Sequence, residues 1–143
     1  MTPPRNGGTK SDLGSPSDWL AHAQSDLNIA RLAQNQAVVL PQHVCFHAQQ
    51  AVEKALKAVL LAREIEFPFI HDIEELLEIA ERGGLTVPAD VAQAGSLTPY
   101  AVESRYPGVR EEILPEEVAE AIGVAEAAVA WAAATIAEPE GRS

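Results

Sequence analysis

The segment PQHVCFHAQQAVEKALKAVLLARE, residues 41 to 64, decides the fold. Pro41 suits a first helical position, where its missing N–H would be unpaired in any case. Neither Gly nor Pro then interrupts the run until Pro68. At about 100° per residue, Val44, Ala48, Ala51, Val52, Ala55, Ala58, Val59 and Ala62 share one apolar face. Cys45, Leu56 and Leu60 widen it. What remains is a narrow polar stripe of His43, His47, Gln50, Lys54 and Lys57, with Glu53 at its edge. A helix on the outside of a protein needs only about a 100° apolar stripe, so the wider one predicts a central helix wrapped by neighbours on three sides.

Working outward, 143 residues suffice for one hydrophobic core but not two. Hydrophobic residues make up 47% and aromatics only 5%, with alanine dominating the helical segments. That composition favours close-packed helices over a sandwich or barrel, whose strands prefer branched and aromatic residues. The net charge of −11 opposes nucleic-acid binding through many phosphate contacts, so any basic patch must be local. Cys45 is the single cysteine, which excludes an internal disulfide; on the apolar side of the helix it reads as a small core residue. The first residues lack a signal-peptide plan, and no apolar run is read as approaching the roughly 20 residues of a membrane span. The expectation is a cytoplasmic protein that does not enter the membrane.

Residues 1–15, rich in Gly, Pro, Ser and Thr, are expected to be a flexible leader. A first helix is predicted from Ser15-Pro16 to about Gln36, with Ser15 as cap, Asp18 in the first turn, and Leu20, Ala23, Leu27 and Ala30 on its buried face beside Trp19. Phe67-Pro68-Phe69-Ile70 is an apolar linker expected to seal one end of the bundle. Asp72 and Glu75 have capping-box spacing and open a third helix to Arg82, ended by Gly83-Gly84. A weak helix near Pro88 is interrupted by Gly95 and Pro99. Tyr100 to Arg110 is the least helical stretch. A last helix from Pro115 keeps Val118, Ile122, Ala125, Val129, Ala132 and Ile136 in unbroken 3-4 spacing up to Glu138-Pro139. The reading is all-α: an antiparallel up-and-down four-helix bundle with an additional short helix over residues 16–137, followed by a tail, 138–143.

Two places invite chemistry. The polar stripe puts His43, His47, Gln50, Lys54 and Lys57 together, with His71 as a candidate neighbour. Its bland reading is a solvated face. His43 and His47 have the i, i+4 spacing of zinc ligands, but Val44 stands where a metalloprotease motif has glutamate, and no metal is assigned. The second place is Tyr100, Arg105, Tyr106 and Pro107, where a guanidinium fork adjoins stacking rings. Its bland reading is an arginine bridging a loop to an acidic helix. No nucleophile dyad, phosphate-cradling glycine loop or paired-carboxylate site is present in the sequence, so no catalytic residue is assigned.

Three segments in order, FHAQQAVEKALKAVL (46–60), HDIEELL (71–77) and YAVESRYPG (100–108), together with Trp19, Asp26 and Ala30, resemble the HEPN family of small prokaryotic helical domains. The resemblance spans about residues 17–137. It implies an up-and-down helical bundle, usually a homodimer, and a partner: many members accompany a minimal nucleotidyltransferase, often as a toxin–antitoxin pair. Other members are metal-independent ribonucleases carrying Arg, four to six residues, then His. This chain departs from that pattern. Arg63 and His71 have seven residues between them, and no histidine follows Arg105. The resemblance places Gln50, Lys54, Lys57, His71, Arg105 and Tyr106 at a nucleotide- or partner-facing surface, with Tyr100 as an alternative ring for the base. The function expected is a non-catalytic, cofactor-free protein that binds a nucleotide or RNA end beside a separately encoded nucleotidyltransferase. The alternatives are a ribonuclease of altered motif, using His47 or His71 as base, and a pure interaction module.

Overall fold

The computed structural model of the chain describes residues 14–101 and 112–138. The expected leader and tail, and the Arg105-Tyr106-Pro107 turn, fall outside them wholly or for the most part. Among the described residues every regular element is helical. Helix α1 spans Pro16–Ala33, α2 Pro41–Ala62, α3 Ile73–Arg82 and α4 Ala89–Ala92; a 3-10 segment follows over Gln93–Ala101, and α5 spans Pro115–Ala137.

Local chemistry sets the ends. Ser15 Oγ accepts from the Asp18 N–H at 3.0 Å while Asp18 Oδ2 accepts from the Ser15 N–H at 3.2 Å, a complete capping box. Asp72 Oδ1 accepts from the N–H groups of Glu74 and Glu75. The Leu114 N–H donates to the Glu117 carboxylate at 2.8 Å, so one of the acids of that run caps α5. After α3 the chain closes with Leu85 N–H on the Ala80 carbonyl and Gly84 N–H on the Glu81 carbonyl, with Gly84 at φ +99°. The same two-bond closure ends α2, but there the left-handed position is held by Glu64 at φ 59°. A non-glycine residue stands there at a cost of about 1–2 kcal/mol.

Helix α2 is the axis. Fourteen of its 22 residues are buried, against α1, α5, the 3-10 segment and α3. Leu56, Leu60, Val52, Val59 and Cys45 are among the largest fully enclosed side chains, as the wide apolar face requires. At about 25 cal/mol per Å² of apolar surface, burying one such leucine or valine contributes about 1.5–3 kcal/mol. Leu56→Ala would remove that and leave a cavity.

Several expectations need correction. α1 stops at Ala33, three residues early; turns closed by Gln36 N–H on Ala33 O and Val39 N–H on Gln36 O reverse the chain into Pro41. The all-α expectation holds among the described residues, with helices of 18, 22, 10 and 23 residues and α4 as a single additional turn. Pro99 and the close approach at Gly95, where a Cβ would lie 2.3 Å from Glu74 Cγ, explain why the fourth helix tightens into 3-10 geometry. Of the apolar linker, Phe67 and Ile70 pack on the core but Phe69 is 60% exposed. Finally, α5 is long and apolar enough to cross a membrane by length and composition, contrary to the expectation that no run was. It packs along α2 with Val118, Ala121, Ile122, Ala125, Ala128, Val129 and Ala132 buried, as a core helix of a globular protein does.

Candidate functional site

The polar stripe of α2 is solvated only in part: Lys57 and Glu53 are 4% and 3% exposed, with Gln49 fully buried beside them, whereas His43, His47, Gln50 and Lys54 are half-buried. Two carboxylates organise it. Glu53 Oε2 accepts from Lys57 Nζ at 2.8 Å, one helical turn on, and lies 2.7 Å from His71 Nδ1. Its Oε1 accepts from Gln49 Nε2 at 3.1 Å, and Gln49 in turn accepts from Gln50 Nε2 at 2.8 Å. The second carboxylate, Asp26, reaches over from α1. Its Oδ2 accepts from Lys54 Nζ at 2.7 Å, and its Oδ1 lies 2.9 Å from His47 Nδ1. Each carboxylate thus stands between a lysine and a histidine. Because an ionised carboxylate only accepts, each imidazole donates from Nδ1 and turns Nε2 away from the acid.

Such charges are tolerated inside only when fully paired and hydrogen-bonded. That condition holds: among the described residues no buried side-chain nitrogen or oxygen lacks a partner. Lys57 gains a further contact, its ammonium 5.8 Å from the centroid of the Trp19 ring, within cation–π reach.

Beside this network, between the first half of α1 and the middle of α2, lies a cavity of about 240 Å³. Asp18, Trp19, His22 and Lys54 line it. Helical spacing brings Asp18, Trp19 and His22 to one side of α1, one turn apart. A wider depression of about 330 Å³ separates α1 from α5, spanned by the Arg31–Glu126 pair at 2.9 Å. Its lining holds no ring and its one pair is almost half exposed, so the smaller cavity has the richer chemistry.

The structure therefore brings Gln50, Lys57 and His71 together around Glu53 and places Lys54 with His47 on the neighbouring Asp26 cluster. Tyr100 is partly buried against the core on the 3-10 segment. Arg105 and Tyr106 lie outside the described residues. The lysines expected to meet phosphate are held by Asp26 and Glu53. Sequence reading missed Asp26 and Gln49 as members of the network and Trp19 and His22 as cavity walls. The signal for Asp26 was available: an acid at position 26 falls on the buried face with Ala23, Leu27 and Ala30. Among the described residues no group of three or more His, Cys, Asp or Glu side chains is placed to hold a metal ion.

Comparison with known proteins supplies the relationship. The HEPN domain family profile matches residues 16–135. The chain belongs to the HEPN family. This HEPN domain is similar to the crystal structure of ST0689, an archaeal HEPN homologue, with 32% identity and a TM-score of 0.67, covering 86% of this chain and 98% of that one. It is also similar to the crystal structure of TT1696 from Thermus thermophilus, with 29% identity and a TM-score of 0.68, covering 84% of this chain and 97% of that one. No curated protein matches it.

Proposed function

We propose that this HEPN domain is a non-catalytic nucleotide- or RNA-end-binding protein that works beside a separately encoded minimal nucleotidyltransferase. One observation carries the ligand half: an indole-walled cavity, with Lys54 and His22 at its edge, opens beside the polar network of α2. A ring of that kind offers a stacking surface to any base, and stacking is worth about 1–3 kcal/mol per base. The excess of 21 acidic over 10 basic residues supports a short ligand over a long nucleic acid. The partner half rests on the resemblance of the HDIEELL and YAVESRYPG segments to members that accompany such enzymes.

Titration of the purified protein with ATP, GTP and a short RNA tests the first half. Saturable binding is expected, and none at millimolar ligand and low salt would overturn it. Co-purification with a nucleotidyltransferase encoded beside it tests the second; separate elution of the two proteins would overturn that.

A specific observation favours a second reading. His47 and His71 each have Nδ1 set by a carboxylate, which orients an imidazole for general acid–base work, and the His71 side chain is 73% exposed. Under this reading the domain is a metal-independent ribonuclease of altered motif. Cleavage of labelled RNA that survives chelation and is lost in His71→Ala would support it; no cleavage by the unaltered protein would exclude it.

A further inference from the structure

The cavity beside Trp19 carries information about the charge of what fits it. Resting on the nucleotide-binding reading above, we infer that it selects the uncharged end of its ligand, a nucleoside whose base lies against Trp19 and whose ribose hydroxyls meet Asp18, and that phosphates add little to binding.

Size is the first argument. The cavity holds about 240 Å³, above the ~150 Å³ that accepts a benzene ring and below the ~300–1,000 Å³ of sites for larger ligands. There is room between its walls for a base and part of a sugar, and a triphosphate would extend beyond them.

Charge is the second. Asp18 and Lys54 line the cavity and Asp26 stands behind Lys54 as its partner, so two carboxylates face one ammonium group there, while Lys57 and Glu53 nearby offset each other. Leaving the histidines aside, these described groups sum to one excess negative charge. Both ammonium groups are already committed, at 2.7 Å to Asp26 and at 2.8 Å to Glu53. A phosphate can take a remaining Lys54 N–H, but the charge of that ammonium is already balanced by Asp26, and the phosphate must approach the Asp18 carboxylate to reach it. A ribose meets no such penalty, since its hydroxyls donate to the acceptor oxygens that Asp18 brings to the wall.

Calorimetric titration with adenosine, AMP and ATP at low ionic strength, where charge effects are least screened, tests the inference. The three dissociation constants are expected to agree within about threefold, with the fluorescence change coming from Trp19 and absent in Trp19→Phe, which retains Trp131 as an internal reference. His22→Arg adds a positive charge at an exposed wall position. It should strengthen ATP about three- to tenfold and leave adenosine unchanged. ATP binding more than about tenfold tighter than adenosine to the unaltered protein would overturn the inference while leaving nucleotide binding intact. A fluorescence change that persists in Trp19→Phe would overturn the placement. Failure of all three ligands at millimolar concentration would overturn this inference and the ligand half of the reading beneath it together.

Discussion

The two carboxylate clusters along α2 have the same parts and different surroundings. Glu53 and Lys57 have side chains 4% and 5% exposed, whereas Lys54 and His47, the partners of Asp26, keep 26% and 27% of theirs in solvent. In the first cluster the Glu53–Lys57 pair is almost fully desolvated and each of those charges depends on the other, although His71 at its margin is 73% exposed. In the second, water can compensate if a partner leaves. Identical pairings thus serve the fold at one end and stand open to a ligand at the other, and the cavity adjoins the open one.

The largest effect belongs to the closed cluster. Glu53→Ala strands the Lys57 ammonium inside the protein and should destabilise it by about 3–5 kcal/mol in urea unfolding. The double variant Glu53→Leu/Lys57→Met should recover most of that loss, because a well-packed apolar pair is often as stable as a buried ion pair. If the single variant lost under about 1 kcal/mol, the contrast between the clusters would break. Asp26→Ala comes next. Lys54 and His47 can rehydrate, so about 1–3 kcal/mol is expected. The same change frees Lys54 Nζ, and ATP should then gain severalfold over adenosine in titration. Smallest is Arg31→Ala, which removes an ion pair whose side chains are 47% and 46% exposed; thermal unfolding should register about 1 kcal/mol or less.

Much of this architecture was legible in the residues. The apolar spacing of 41–64, the Ser15/Asp18 and Asp72 caps and the 3-4 rhythm of α5 each report a local preference, and local preferences are written in order along the chain. The site was legible in part. Helical spacing puts Gln50, Lys54 and Lys57 on one stripe, yet a polar stripe looks the same whether it faces water or an opposing acid. What buries it is Asp26, 21 residues from His47 and 28 from Lys54, and His71, 18 residues from Glu53. Pairings over such separations depend on how helices dock, which no window of the sequence records. Trp19 was read as a flank of the apolar stripe for the same reason: its contact with Lys57 forms only once α1 lies along α2.

The account centres on the open end of the network as the place a ligand enters. The chain has two tryptophans, so the two indole N–H signals of an isotope-labelled sample report directly on it. On titration with adenosine the account predicts a saturable shift of the Trp19 signal, with the Trp131 signal on α5 stationary. A stationary Trp19 signal, or a saturable shift confined to Trp131, would contradict it.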